Sequence, residues 1–199
     1  MSVFPTAYFP CISYMRDFVN DTNPVIETHD SYIKQTYRNR CKVLTSNGIQ
    51  TLSVPIAKRH GKQLTRDAAI SYDEPWQQIH SRCLESAYRS SPYFEHYYSY
   101  IAPVFRTRPD LLVELNDTIL GILLKILKSD KGISHTLAYE KEVPDDFRNL
   151  YNSKQQPDNQ NIKPYYQVFN YKFDFIADLS ILDLLFNEGP ECLNWMTKT

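Results

Sequence analysis

The Asn47-Gly48 dipeptide lies between two segments in which apolar and polar side chains alternate. Asn and Gly both tolerate the positive backbone φ angles of a two-residue type I′ turn, so this pair is a strong local signal for a β-hairpin. We therefore predict a hairpin that pairs Tyr37–Ser46 with Ile49–Ile56. This hairpin commits the chain to antiparallel β-structure, whatever its other elements are.

A turn centred on this dipeptide also sets the register of the hairpin, and the period of two sets its faces. Three cross-strand pairs share the face that we expect to be buried: Val43 with Leu52, Cys41 with Val54, and Asn39 with Ile56. The opposite face is expected to be basic and exposed, with Arg38, Arg40 and Lys42. Asn39 is an amide on the apolar face, and without hydrogen-bond partners it would cost about 1–3 kcal/mol.

The remaining elements are predicted from apolar periodicity and from the positions of proline and glycine. Helices are expected over Pro75–Arg89, Tyr93–Phe105, Asp110–Lys128 and Ser180–Phe186, with a short strand over Tyr165–Tyr171. The polar segment 152–164 is expected to form a mobile surface loop. This mixture predicts an α+β or mixed α/β fold in one compact domain over residues 1–199.

Charge and hydropathy restrict the partners and the compartment. The chain has 22 Lys and Arg against 23 Asp and Glu, so it lacks a basic surplus and we expect no nucleic-acid partner. The most apolar run, Ile119 to Leu127, contains Lys125 and is too short for a membrane span. The 4 cysteines are far apart and are expected to be reduced core residues, as in a cytoplasmic protein.

The stretch from Glu27 to Arg40 concentrates hydrogen-bonding side chains directly before the hairpin and is the best candidate for a ligand site. His29 can supply a general acid or base. Arg38 and Arg40 can bind a phosphate or carboxylate, and Asn39 can orient a substrate. The other candidate substrate-binding residues here are Tyr32, Lys34, Gln35 and Tyr37. The alternative explanation is a solvated strand face whose asparagine caps a nearby loop.

Two further candidates lie on the predicted helix Pro75–Arg89: His80 as a catalytic acid or base, and Tyr88 as a substrate contact. Both fall on its apolar stripe, where a hydrogen-bonded core side chain is the usual explanation. The aromatic wall that Tyr88 begins would continue through Tyr93, Tyr97, Tyr98 and Tyr100. Such a wall either stacks on a sugar or belongs to the core.

Several familiar chemistries lack their motifs. The chain has no phosphate-binding glycine-rich loop, no Gly-x-Ser-x-Gly elbow and no His-Glu-x-x-His zinc helix, and it contains only 5 glycines. The residues predict no metal site and specify neither a cofactor nor an oligomeric state.

Several of these segments together resemble the WbqC-like protein family. They are the run from His29 to Arg40, Leu52-Ser53-Val54-Pro55, Trp76 with His80, Tyr88, and Ser91-Pro92-Tyr93-Phe94. The run from Phe175 to Pro190 is similar to the C-terminal signature of that family. The resemblance implies a bacterial protein connected with O-antigen and related surface-polysaccharide precursors. Some members carry His-Gln-Pro where this chain has Phe4-Pro5-Thr6, so no role for that histidine carries over.

Two hypotheses follow from the resemblance and the polar stretch. The first is a group-transfer enzyme, for example an acyltransferase, acting on a small molecule such as an amino sugar or a sugar nucleotide. The second is a non-catalytic binding or scaffolding protein of a glycan-assembly complex. A concave pocket where His29, Asn39 and Arg40 converge would favour the enzyme, and an exposed apolar patch beside the hairpin would favour the scaffold.

Overall fold

The computed structural model describes residues 1–58, 61–151 and 162–197. In chain order the elements are β1 (Ser2–Pro5), α1 (Ile12–Asn20), β2 (Pro24–Glu27), β3 (Arg40–Thr45), β4 (Gly48–Ser53), α2 (Trp76–Tyr88), α3 (Phe94–Ile101), α4 (Leu112–Ile126), β5 (Asp145–Asp146), α5 (Ile181–Glu188) and α6 (Cys192–Thr197). The predicted mixed α+β class is confirmed. The loop predicted at 152–164 lies almost entirely outside the described residues.

A small parallel sheet, in the order β2-β1-β5, organises the N-terminal half. Strands β1 and β2 are buried along their whole length, and helix α1 connects them. The sheet joins distant parts of the chain, because β1 pairs with β5. The Phe4 ring also stacks on Phe147, with ring centroids 4.5 Å apart. The sequence analysis missed this sheet, since strands buried on both faces show no alternation and these are only a few residues long.

The antiparallel hairpin forms as predicted, but its predicted register is wrong by two residues. Cys41 pairs with Leu52, and Val43 pairs with Gln50. Gly48 has a φ of 99°, whereas Asn47 has no positive φ and therefore cannot occupy a type I′ turn. Because a shift of two residues preserves the faces of a strand, Cys41, Val43, Leu52 and Val54 are buried as expected.

The side chain of Thr45 accounts for this register. Its hydroxyl accepts a hydrogen bond from the Asn47 N–H at 3.2 Å and donates one to the Gly48 carbonyl at 2.9 Å. The chain therefore turns at Ser46 and Asn47, and Gly48 already belongs to the second strand. A threonine hydroxyl that bonds the backbone two residues on is a known turn former, and here it outweighs the Asn-Gly signal.

The helices lie close to their predicted positions. The predicted helix over Tyr93–Phe105 is divided into α3 and a 3₁₀ segment at Ala102–Arg106, because Pro103 has no N–H to continue the α-helical pattern. Ser180 caps α5 by accepting a hydrogen bond from the Leu182 N–H at 3.3 Å. The strand predicted over Tyr165–Tyr171 is wrong, since that segment is irregular and turns at its end.

Two other expectations concern cysteines and membranes. The 4 cysteines are free, and Cys11, Cys41 and Cys192 are buried as predicted, whereas Cys83 is only half-buried. None of the helices within residues 1–58, 61–151 and 162–197 combines the length and apolar character that crossing a bilayer requires.

Candidate functional site

Polar side chains collect at the carboxyl end of the parallel sheet. Glu27 is the last residue of β2, and His29 and Asp30 follow it directly. Asp146 ends β5, and Thr136 lies beside β2 because Ile26 and His135 form a parallel bridge. In open parallel sheets this edge is where ligands bind, since the apolar strands end there and the loops supply polar groups.

His29, Asp30 and Asp146 line a cavity of about 450 Å³, which we call the carboxyl-edge pocket. Its lining contains acidic, basic, uncharged polar and apolar side chains: His29, Asp30, Ser31, Ile33, Tyr139, Lys141, Asp146, Arg148 and Asn149. The volume lies in the range of small-molecule sites. The lining is polar enough to bind a hydroxylated or charged ligand.

His29 is fixed from behind by a chain of hydrogen bonds. Its Nδ1 lies 3.2 Å from the Thr136 hydroxyl, which donates to Glu27 Oε1 at 2.8 Å. Glu27 Oε1 also accepts the His29 backbone N–H at 2.7 Å. Glu27 is 1% exposed, so this carboxylate acts on the ring from inside the protein.

The direction of this chain determines the tautomer of His29. The Thr136 hydroxyl gives its single proton to a carboxylate, which can only accept. Its oxygen therefore faces Nδ1 as an acceptor, which favours the tautomer with the ring proton on Nδ1. The Thr28 hydroxyl is the more distant neighbour of this nitrogen, at 3.4 Å. In the neutral ring, Nε2 then holds a free lone pair, and no hydrogen bond within the described residues engages it. His29 is half-buried on the pocket wall, so this nitrogen is available as a base.

Arg148 holds the acidic side of the pocket together. Its guanidinium binds both oxygens of Asp146, at 2.8 and 2.7 Å, and Glu27 Oε2 at 3.2 Å. It also donates to the carbonyls of Glu140 and Lys141, at 2.7 and 3.2 Å. These hydrogen bonds lower the pKa of Asp146 and raise that of Arg148. All five N–H groups are thus committed within the protein, and Arg148 is a support for Glu27 rather than an anion receptor.

Arg38 is the clearest correction to the sequence analysis. It was expected on an exposed basic face, but it is 3% exposed, and its Nη2 donates to Asp30 Oδ2 at 2.6 Å. Asp30 also accepts from the Thr65 hydroxyl. The alternation used in the prediction does not reach Arg38, because β3 begins only at Arg40. Arg38 therefore holds Asp30, a residue of the pocket lining, in place from the interior.

The other candidate residues near the start of the hairpin lie outside the carboxyl-edge pocket. Asn39 is buried and donates to the Val54 carbonyl at 2.8 Å, where it closes the open end of the hairpin. Tyr37 is buried in the core, and Arg40 is half-buried at the start of β3. The described lining of the carboxyl-edge pocket includes neither Asn39 nor Arg40, so the expected convergence with His29 is not found there.

Tyr32, Lys34 and Gln35 belong to the turn that leads away from the pocket. Tyr32 is half-buried, and burial raises its pKa to about 12 although Arg38 and Arg40 act in the opposite direction. Lys34 and Gln35 are exposed, and Gln35 adopts a left-handed φ of 62°. Ser31 and Ile33, in the same turn, are the residues that line the pocket.

His80 and Tyr88 lie in the core and are not brought near His29. His80 Nδ1 bonds the Tyr8 hydroxyl at 2.8 Å, the ring also bonds the Ser53 backbone, and burial lowers its pKa to about 4. Tyr88 is 1% exposed, and its hydroxyl donates to Asp183 Oδ1 at 2.8 Å. The hydrogen bonds of both side chains are therefore internal.

The residues that complete the site around His29 were mostly not predicted from the sequence. Thr136, Tyr139, Lys141 and Arg148 come from a segment that carries no strong periodicity or motif. The available signal was the short apolar run Val25-Ile26, followed by Glu27 and His29, which resembles a buried strand with polar residues at its end.

Comparisons with known proteins agree with the resemblance. The profile of the WbqC-like protein family matches residues 6–151, a range that contains Glu27, His29, Thr136 and Arg148. The uncharacterised protein Rv1507c of Mycobacterium tuberculosis is 26% identical over 224 residues, covering 95% of this chain and 91% of the relative. No solved structure gives a significant match.

Proposed function

We propose that this chain, which belongs to the WbqC-like protein family, is a bacterial group-transfer enzyme of cell-surface polysaccharide precursor metabolism. In this proposal it transfers an acyl or related group to an amino or activated sugar of the O-antigen type. The observation that carries the proposal is the His29–Thr136–Glu27 chain, which ends on a pocket at the carboxyl edge of a parallel sheet.

The proposed reaction uses His29 twice. As a neutral sugar amine attacks the carbonyl carbon of the acyl donor, Nε2 accepts the proton that leaves the amine nitrogen. The resulting imidazolium is stabilised through Nδ1–H and Thr136 by the buried Glu27 carboxylate. When the tetrahedral adduct collapses, the bond to the leaving group breaks, and Nε2 returns the proton to that group.

The remaining pocket side chains suit a sugar with an anionic substituent. The Tyr139 ring is 53% exposed at the rim, with the Arg148 guanidinium carbon 4.9 Å from its centroid, so it can stack on the apolar face of a sugar. Lys141 is exposed on the lining, and within the described residues no carboxylate pairs with its ammonium group. Lys141 is therefore the proposed contact for a phosphate or carboxylate, a role that the sequence analysis gave to Arg38 and Arg40.

The test begins with a thermal-shift screen against amino sugars, sugar nucleotides and acyl-CoA donors, followed by turnover assays of the ligands that stabilise the protein. His29→Gln is expected to keep the ligand-induced shift and to lose turnover by about 10²-fold or more, since it removes only the proton transfer. Glu95→Gln, on an exposed position of α3, is the control. Unchanged turnover in His29→Gln would refute the role of His29.

A second candidate function is supported by two exposed apolar side chains, one on the pocket lining and one in another cavity that Glu27 and Thr136 also line. Leu137 is 97% exposed, and Ile33 on the pocket lining is 45% exposed. Such positions suit a partner surface of a glycan-assembly complex. Leu137→Asp separates the two functions: an enzyme that works alone keeps its turnover, whereas a scaffold loses its partner in a pull-down with the other components of the assembly.

A further inference from the structure

A second cavity, of about 560 Å³, lies between α3, the C-terminal end of α4 and the turn into α6. It shares no lining residue with the carboxyl-edge pocket. We call it the helical cavity. Neither the proposed reaction nor the family resemblance gives it a role, although its volume is that of a small-molecule site.

One wall of the helical cavity is aromatic. Tyr97, Tyr100 and His96 line it, and the His96 ring lies 4.7 Å from Tyr97 and 5.8 Å from Tyr100 between centroids. Tyr97 is buried, whereas Tyr100 is 46% exposed. Part of the aromatic wall considered in the sequence analysis therefore faces a cavity, and flat rings in this arrangement favour a flat or apolar ligand.

The opposite side is aliphatic. Ile122 and Ile126 come from α4, and Leu193 comes from α6. Ile122 and Ile126 are only half-buried, although the buried stripe of α4 runs through Leu115, Ile119 and Leu123. In the final turns of α4, Ile122 and Ile126 therefore line the cavity with apolar surface.

The charges around the helical cavity have one sign. Lys125 and Lys128 line the cavity, and both are exposed. Among the described lining residues, none is an aspartate or a glutamate. Glu191 accepts a hydrogen bond from the lining residue Asn194 at 2.7 Å, but Glu191 itself lines an adjoining hollow with Lys163 and Trp195.

The backbone at two points of the lining has an unusual conformation. Lys128 has a left-handed φ of 53°, which costs a non-glycine residue about 1–2 kcal/mol. Glycine is the usual residue with this conformation after a helix C-terminus, whereas this chain has a lysine. Gly189 has a φ of 55°, and a Cβ at this position would lie 2.5 Å from the Tyr93 ring. Only glycine fits this part of the wall.

We propose that the helical cavity binds a small organic anion with an aromatic body, of the aryl carboxylate class. The aromatic wall and the aliphatic side enclose the ring system, and Lys125 and Lys128 bind the anionic group. Lysines also interact favourably with the C-terminal end of a helix dipole, so the test must show that they recognise a ligand.

The test uses 2-naphthoate as the probe and isothermal titration calorimetry as the measurement, with the intact protein. The uncharged 2-naphthalenemethanol has nearly the same shape and reports on the apolar contact alone. We expect 2-naphthoate to bind at least about tenfold more tightly than the alcohol, which corresponds to about 1.4 kcal/mol. In the double variant Lys125→Gln/Lys128→Gln, the two affinities should become equal.

Two further variants complete the design. Lys58→Gln/Lys62→Gln removes two exposed lysines outside the cavity and should leave the preference for 2-naphthoate unchanged. Tyr100→Ala should weaken the binding of both probes, because it removes the exposed ring of the wall. Equal affinity of the wild type for both probes, or no binding of 2-naphthoate, would overturn the proposal. A preference for 2-naphthoate that survives in Lys125→Gln/Lys128→Gln would also overturn it.

Discussion

At the scale of single residues, His29 differs from other histidines of the chain in how its ring is bonded. His29 is held at Nδ1 only and faces a pocket. His80 is enclosed by Tyr8 and the Ser53 backbone, and His135 Nε2 lies 3.0 Å from Asp117 Oδ2. A base needs an unprotonated nitrogen that a substrate can reach, and among these three His29 meets this requirement best.

His80 should instead control the stability of the protein in acid. Burial lowers its pKa to about 4 from an unfolded value near 6.5, so the unfolded chain binds more protons between these values. Its contribution is complete above pH 6.5 and is lost as the pH falls towards 4, which amounts to about 3 kcal/mol.

Urea unfolding of His80→Gln at several pH values measures this effect. The difference in unfolding free energy between wild type and variant should shrink by about 3 kcal/mol from pH 7 to pH 4. Gln78→Ala, an exposed position on the same helix, replaces no titratable group and should leave the pH dependence unchanged. A difference for His80→Gln that stays constant with pH would show that the ring is not buried as a neutral group.

Sequence analysis identified residues at this scale better than their roles. The prominence of His29 was visible because it stands among polar residues, and the core position of His80 followed from helical periodicity. Arg38 was misplaced because its neighbours turn rather than extend, and the partner that buries it, Asp30, lies eight residues away. No local sequence pattern predicts such an ion pair.

At the scale of secondary-structure elements, the hairpin depends on Gly48, the first residue after the turn and the one residue of the hairpin with a positive φ. Gly48 has a φ of 99° and no heavy atom within 4 Å of a would-be Cβ. Gly48→Ala should therefore destabilise the protein through backbone conformation alone, by about 1–2 kcal/mol. Thermal unfolding measures the loss.

Gly132→Ala is the matched control for the turn. Its would-be Cβ also has no heavy atom within 4 Å, but its φ lies outside the left-handed region. This variant should be neutral or slightly stabilising, because alanine restricts the unfolded chain more than glycine does. Equal stabilities of the two variants would contradict the turn described for Ser46 and Asn47.

The elements that carry the site were the hardest to predict. The two-residue strand β5 and the bridge at His135 have no periodicity of their own and form only because β1 and β2 already present free edges. Helices, by contrast, bury a stripe that repeats in the sequence, so α2 and α4 lie within two residues of their predicted bounds. Local patterns therefore predicted the scaffold better than the site.

At the scale of the whole molecule, Arg148 connects the two ends of the matched family region. It joins Glu27, 121 positions away, to Asp146 and to the carbonyls of Glu140 and Lys141. Arg148→Met should destabilise the protein by about 3–5 kcal/mol, because it leaves the buried Glu27 carboxylate without its cation. Urea unfolding measures the loss.

The control for Arg148 is a double variant that removes the buried charge as well. Glu27→Gln/Arg148→Met should recover part of the stability lost in Arg148→Met, since no uncompensated carboxylate remains. The single variant Glu27→Gln measures the cost of the second substitution alone. If the double variant is less stable than Arg148→Met by that same amount, the two side chains do not interact in the folded protein.

The function proposed for the whole molecule depends on His29 carrying its proton on Nδ1, and this can be measured without a substrate. Two-bond ¹H–¹⁵N correlation spectra of ¹⁵N-labelled protein, recorded where the ring is neutral, distinguish the two tautomers, and His29→Gln assigns the signal. We expect the Nδ1–H tautomer in the wild type and in Thr28→Val, which removes the hydroxyl 3.4 Å from Nδ1. We expect a change to Nε2–H in Thr136→Val, which removes the acceptor at 3.2 Å. A wild-type His29 with its proton on Nε2 would contradict the hydrogen-bond chain, and with it the assignment of His29 as the base.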